Sequence, residues 1–177
     1  MRTQFELGDA HPAYRLLLPL MFGALADRYP QVELRRVYLF RGTPADHSLG
    51  NADKKGEVGL NPFWFSAPPA ALIAAAQGPR NMPVGNGLVL AYHGDMVREP
   101  DHLVTHEFAH VLSDFIPGWA ERADRLWHAA TEDPELAPSA YACTNASEHW
   151  AELFTAYEMG VAIPAQETAV REMLGGS

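Results

Sequence analysis

The stretch 106-HEFAH-110 lies inside a segment, residues 101–115, in which apolar side chains recur with helical spacing. Residues four apart on an α-helix stand on the same face, one turn from each other, so both imidazoles can reach one ion. Zinc accepts neutral imidazole nitrogen and keeps an open position in catalytic sites. Glu107 projects beside the pair, where it can take a proton from water without being a ligand. The sequence therefore predicts a Zn²⁺ site at His106 and His110, with Glu107 as its general base.

The residues before this stretch read as one helix and a small sheet. Apolar spacing and Pro30 predict a first helix over about 9–28. Runs rich in β-branched, leucine and aromatic residues predict strands, and an alanine-rich run predicts a short helix. The strands are expected at 32–40, 56–65 and 87–93, with Pro62 placing the second at a sheet edge, a loop at 41–55 and the short helix at 67–77.

The residues after the stretch continue as helices. Helical patterns predict elements at 119–130, at 145–160 and after Pro164. Strands first and helices afterwards indicate an α+β fold rather than alternating βαβ units. We expect a single domain over 1–177, with a helix and a small twisted mixed sheet in 1–100, packed on the motif helix, and a helical zinc-binding part in 101–177.

Two histidines leave the site one protein ligand short, since catalytic zinc usually has three. A metzincin site needs a histidine where this chain has Ile116, so that arrangement is excluded. His128 stands near the position of a third histidine in SprT-like proteases, but its surroundings are those of a partly exposed helix. Glu132 sits in a proline-containing loop, which holds a ligand poorly. Glu148, at the start of a long amphipathic helix, is the stronger candidate.

The segment 141–154, YACTNASEHWAELF, resembles the C-terminal zinc-binding stretch of the anthrax lethal factor and Pro-Pro endopeptidase group of gluzincin metallopeptidases. That group has a tyrosine seven residues before its glutamate ligand, an asparagine three before it and a second glutamate four after it. Tyr141, Asn145, Glu148 and Glu152 match these positions. The resemblance covers roughly the C-terminal half of the chain.

This resemblance implies a zincin-like fold and a role for each matched residue. Glu148 would be the third zinc ligand, and Tyr141 would donate its hydroxyl to the oxyanion formed during attack on a carbonyl. Glu152 would accept a hydrogen bond from a ligand histidine and orient it. Asn145 and Glu148 also have the spacing of a capping box, which is a competing account of that glutamate.

Two further interpretations concern the surroundings of the site. Asp114, one turn beyond His110, is a candidate supporting residue, although a solvated helix end explains it equally well. The predicted edge strand containing Asn61 and Trp64 is a candidate for pairing with an extended peptide substrate. A covering helix is the competing account of its aromatic residues.

Composition restricts the partners. The net charge of −9 and the scarcity of clustered Lys and Arg argue against a nucleic acid or an anionic membrane surface. A peptide or protein substrate remains, and the oligomeric state stays open. The single cysteine, Cys143, permits no intrachain disulfide. The run 16–26 ends like a signal-peptidase site, but acidic residues precede it and its spacing is helical. These features favour a cytoplasmic location and leave export open.

Together these patterns predict a zinc-dependent endopeptidase that hydrolyses peptide bonds with water, using Glu107 as base. Two alternatives stay open. The first is a zinc-stabilised binding module that has the ligands but no turnover. The second is a toxin-like effector protease specific for one partner protein.

Overall fold

The computed structural model describes residues 3–40, 50–53, 55–69 and 98–175. The strands in these ranges are β1 Gln4–Glu6, β2 Arg36–Leu39, β3 Gly50–Asp53 and β4 Glu57–Leu60. The α-helices are α1 Pro12–Arg28, α2 Pro62–Phe65, α3 Arg98–Ser113, α4 Trp119–Glu132, α5 Ala146–Glu158 and α6 Pro164–Met173. Short 3₁₀ turns cover Pro134–Leu136 and Tyr141–Cys143.

Helix α1 forms where the sequence predicts the first helix, starting three residues later. The ring of His11 accepts a hydrogen bond from the Ala13 amide at 3.3 Å, and Pro12 occupies the first turn, where its missing N–H costs nothing. One face of the helix enters the core through Tyr14, Leu18, Phe22 and Leu25. None of the helices in the described ranges combines the length and the apolarity needed to cross a membrane.

The strands form a four-stranded mixed sheet in the order β1-β2-β4-β3. β2 pairs in parallel with both β1 and β4, and β3 runs antiparallel to β4. The turn between β3 and β4 requires Gly56, whose φ is +75° and whose added Cβ would lie 2.1 Å from the Glu33 carbonyl oxygen. The mixed sheet agrees with the α+β prediction.

The predicted strand 56–65 is wrong in its second half and in its place in the sheet. β4 ends at Leu60 and lies between β2 and β3, so it is an interior strand. Asn61 accepts a hydrogen bond from the Phe63 amide at 3.0 Å and caps α2, with Pro62 at its first position. Cap chemistry and the fixed φ of proline therefore outweigh the β propensity of the aromatic run.

Two strands lie where none was predicted. β1 precedes the first helix, and β3 falls inside the segment predicted as a loop at 41–55. The predicted strand 87–93 and most of the predicted helix 67–77 lie outside the described residues.

Helices α3 and α5 occupy the centre of the fold. α3 packs against α1, α5, β3 and β4, so the sheet lies on the helix that carries the HEFAH stretch. Phe108 of α3 stacks on Phe154 of α5 at 6.5 Å between ring centroids, and both rings are fully buried. Trp150, also fully buried, donates its indole N–H to the Ala109 carbonyl at 2.9 Å. These contacts fix α5 against the face of α3 that presents the two histidines.

Candidate metal centre

His106 and His110 stand one turn apart on α3, as the spacing predicts. Their rings are 4.9 Å apart between centroids, and their Nε2 atoms are 3.2 Å apart. Helix α5 adds Glu148, whose Oε2 lies 3.0 Å from Nε2 of His106 and 3.5 Å from Nε2 of His110. Three potential ligand atoms from two helices therefore converge on one point.

The start of α5 explains how Glu148 reaches this point. The Asn145 side chain accepts hydrogen bonds from the amides of Ser147 at 2.9 Å and Glu148 at 3.0 Å, which places the glutamate in the first turn. The Glu148 carboxylate contacts the histidines and makes no bond to the Asn145 amide. Only half of the capping box is therefore formed, and the glutamate side chain is committed to the histidine pair.

The donor set fits a tetrahedral zinc ion. Ligand atoms about 2.0–2.1 Å from a tetrahedral ion lie about 3.3 Å from one another. The three separations among His106, His110 and Glu148 are 3.0, 3.2 and 3.5 Å. Two imidazoles and a carboxylate are also a ligand combination used by catalytic zinc sites. Position and chemistry agree without any rearrangement of the helices.

Each histidine also has a partner for its other ring nitrogen. Nδ1 of His106 lies 2.8 Å from Oε1 of Glu152, and Nδ1 of His110 lies 3.1 Å from Oγ of Ser147. A proton held on each Nδ1 leaves each Nε2 with a lone pair directed at the common point. Glu152 therefore occupies the position that the resemblance implies for it.

Glu152 is itself enclosed by polar groups. Its side chain is 1% exposed, and Ser139 donates to Oε2 at 2.6 Å. His102, one turn before His106, places Nε2 at 3.3 Å from Oε1. His102 is buried. His102, His106 and Glu152 make a second group that could hold a metal, but its carboxylate already bonds Nδ1 of His106.

The Glu107 carboxylate is buried beside the ligand atoms. Burial raises the pKa of Glu107, and the negative charge of Glu148 raises it further, while His106 and His110 act to lower it. Its Oε2 has no hydrogen-bond partner among the described residues. A Cβ added at Gly50 of β3 would lie 2.8 Å from Oε1, so the strand backbone confines the carboxylate.

The ring of Tyr141 lies close to that of His106. It begins the 3₁₀ turn Tyr141–Cys143, and its ring centroid is 5.9 Å from that of His106. Burial, followed by the negative charge and hydrogen bonding of Glu148, raises the pKa of Tyr141 to about 12. The hydroxyl therefore keeps its proton at neutral pH and can donate a hydrogen bond.

The charges of the site residues depend strongly on one another. Burial alone lowers the pKa of His106, but contacts with Glu148 and Glu152 outweigh burial and raise it to about 10. Burial raises the pKa of Glu148, yet the two ligand histidines bring it down to about 2. The histidine contacts likewise outweigh burial at Glu152 and hold its pKa below the ordinary value. At neutral pH His106 therefore carries a proton next to the charged carboxylates of Glu148 and Glu152, and a metal bound at its ring would displace that proton.

Other candidates lie elsewhere. Asp114 is exposed just beyond the end of α3 and makes no side-chain contact with a site residue in the described ranges. His128 is exposed on α4 and faces Asp124 at 3.6 Å, and Glu132 is exposed at the end of that helix. Asp114, His128 and Glu132 therefore do not contribute to the centre.

Asn61 and Trp64 belong to α2 and its cap rather than to an edge strand. Asn61 is fully buried, and its side chain is engaged by the Phe63 amide. Trp64 is partly buried against the core and packs edge-on to the neighbouring Phe63 ring at 4.7 Å. The edge strand predicted at these residues is therefore wrong, and the helical turn offers no strand edge with which a peptide backbone could pair.

A scan against protein-family models gave no match, and neither did searches of curated proteins and of solved structures. Any function must therefore be inferred from the residues themselves and from their geometry.

Proposed function

We propose that this chain is a zinc-dependent peptidase with a zincin-like fold, in which His106, His110 and Glu148 hold the metal. One observation carries the proposal. The three ligand atoms lie 3.0–3.5 Å apart, beside the buried Glu107 carboxylate with its unpartnered oxygen. The tyrosine, asparagine and two glutamates that match the lethal factor and Pro-Pro endopeptidase group support it independently of the coordinates.

Zn²⁺ held there would polarise a carbonyl and lower the pKa of water towards neutrality. Glu107 would act as general base and take a proton from the attacking water. Its buried position suits this role, because a carboxylate with a raised pKa is a better proton acceptor near neutral pH. The same carboxyl group can return the proton to the leaving amine.

Tyr141 supplies the second catalytic contribution. Its hydroxyl stays protonated near neutral pH and lies within hydrogen-bonding reach of Glu148, and its ring lies beside that of His106. A donor in that position can stabilise the negative charge that develops on a carbonyl oxygen during hydrolysis. Loss of one such donor costs about 10²–10³ in kcat in well-studied hydrolases.

The sheet suggests how a peptide could approach. In the described residues β3 pairs with β4 alone, and its Gly50 lies against the Glu107 side chain. An extended peptide aligned with β3 would place a backbone carbonyl close to the general base. In this proposal β3 replaces the predicted edge strand containing Asn61 and Trp64 as the strand that would pair with an extended peptide.

Bound metal is the decisive measurement. The parent should contain one zinc per chain by elemental analysis, and His110→Ala and Glu148→Ala should each lose it. His128→Ala is the matched control, because this histidine is exposed and its ring lies near Asp124 and Trp127, away from the proposed ligands. Zinc lost in His110→Ala but kept in Glu148→Ala would refute the third ligand. A folded parent that binds no zinc would refute the proposal as a whole.

Turnover needs a separate test with a peptide library that includes proline-rich sequences. Glu107→Gln should keep the zinc and lose hydrolysis, because the amide cannot accept the proton. Zinc binding by the parent with no cleavage of any library member would favour a zinc-stabilised binding module instead.

A further inference from the structure

Ser139 links two parts of the centre through one hydroxyl. Its side chain is fully buried and lies just before the 3₁₀ turn that carries Tyr141. Oγ donates to Oε2 of Glu152 at 2.6 Å and accepts from the Ala142 amide at 3.1 Å. Short hydrogen bonds from a hydroxyl to a carboxylate are among the stronger ones in proteins.

The first of these bonds fixes the carboxylate that orients His106. Oε1 of Glu152 faces both His106 and His102, so the carboxylate plane decides where the His106 ring points. Ser139 is the one donor to Oε2 that the described residues provide. Without it, a buried carboxylate oxygen would be unsatisfied, and the group would rotate or draw in water to regain a partner.

The second bond fixes the turn that follows Tyr141. The Ala142 amide is the next peptide group after this tyrosine, and its acceptor is the same Ser139 oxygen. The same oxygen atom, Oγ of Ser139, therefore influences both where Tyr141 lies and how the His106 ring is oriented.

We propose that Ser139 is a positioning residue that sets the His106 ring, through Glu152, and the Tyr141 turn at the same time. This inference rests on the proposed function. Its hydroxyl bonds Glu152 and the Ala142 amide and none of the three proposed ligands, so it would act through these two neighbours.

The test compares zinc affinity, measured by competition with a chromophoric chelator, in the parent and in Ser139→Ala. We expect the affinity to fall about tenfold, the lower end of the range for groups that support ligand histidines. Ser139→Thr keeps the hydroxyl and should stay within about threefold of the parent, on the same scale. In Ser139→Ala the Ala142 amide should also exchange with solvent faster, because its acceptor is gone.

Thr155→Val is the matched control. Like Ser139, Thr155 has a fully buried hydroxyl, but it lies on α5 and bonds the Ala151 carbonyl at 2.7 Å, with no bond to a site residue. Its zinc affinity should equal that of the parent. If Ser139→Ala does not fold, Ser139→Cys replaces it, since a thiol of similar size is a weak donor and should show the same loss.

The outcomes separate the two proposals. A parent that binds no zinc refutes the proposed function. A parent that binds zinc while Ser139→Ala binds it equally well refutes the positioning role alone. Equal losses in Ser139→Ala and Ser139→Thr, or in Thr155→Val, would also overturn it, because the hydroxyl would not be the cause.

Discussion

Zinc binding should depend steeply on pH, since the zinc-free site stores a proton on His106. The contacts with Glu148 and Glu152 raise the pKa of this histidine to about 10, whereas a metal requires the neutral ring. Below that pH each bound zinc must release the proton. The apparent affinity should therefore rise about tenfold per pH unit, about 1.36 kcal/mol, between pH 7 and 9.

The zinc-free protein should show the opposite trend. A histidine whose folded pKa is above its unfolded value stabilises the fold at low pH, and this stability is lost as pH rises towards the folded pKa. Stability linked to His106 should therefore decline from about pH 6.5 towards about pH 10. The stabilisation by zinc, measured as the shift in thermal unfolding, should grow over the same range.

Calorimetric titration with zinc in two buffers of different ionisation enthalpy counts the released protons directly. We expect one proton or more per zinc at pH 7.5, with chelator competition giving the affinity at each pH. Glu152→Gln is the informative variant, because removing one of the charges that hold the proton should flatten the pH dependence. An affinity that changed less than threefold between pH 7 and 9 would refute the stored proton.

Three further substitutions test separate features of the structure. Gly50→Ala places a Cβ 2.8 Å from Oε1 of Glu107, about 0.6 Å inside ordinary van der Waals contact, so the carboxylate must move. We expect the rate of hydrolysis to fall about tenfold or more, because small misplacements of catalytic groups slow the reaction, while the zinc affinity stays unchanged. Asn61→Ala removes the cap of α2 and should lower the free energy of unfolding by about 1–2 kcal/mol in urea titrations, without loss of zinc. Asp114→Ala should leave the zinc content unchanged and alter the free energy of unfolding by no more than about 0.5 kcal/mol, because the side chain is exposed. A loss of zinc in this variant would show that Asp114 supports the site after all.

The convergence of the proposed ligand side chains could be predicted from local sequence, because their placement within each helix is local. Helical spacing puts His106 and His110 on one face, and the start of α5 puts Glu148 and Glu152 on one face of the second helix. How the two helices pack depends on tertiary structure, whereas the position of each residue within its own helix depends on local sequence alone. Tyr141 followed from its spacing to the glutamate in a recognised motif.

The supporting residues could not be predicted in the same way. Ser139 and Ser147 are ordinary residues in a loop and in a helix start, and their roles arise from contacts with Glu152 and His110. His102 has a sequence signal, its position one turn before His106. Its burial depends on α5 covering that face, and helical periodicity does not reveal it.

The two errors in predicting the strands of the sheet have a common physical origin. β3 has the sequence Gly-Asn-Ala-Asp, which carries little β propensity, and it forms a strand because β4 provides a pairing partner. The aromatic run after Leu60 carries high β propensity but forms α2, because Asn61 and Pro62 together start a helix. In both places a neighbouring group overrides the preference of the segment itself.

The bond from Trp150 to the Ala109 carbonyl gives the centre a mechanical property. This indole sits between the segments that supply the ligands and holds α5 in a single register against α3. A slip of one helical turn would displace Glu148 by about 5.4 Å and leave only two ligands. If the centre holds zinc as proposed, separation of the two helices would release it, so the rate at which an excess of chelator strips zinc should report how often α5 opens. Weakening the Trp150 contact should speed that release even where the ligands themselves are unchanged.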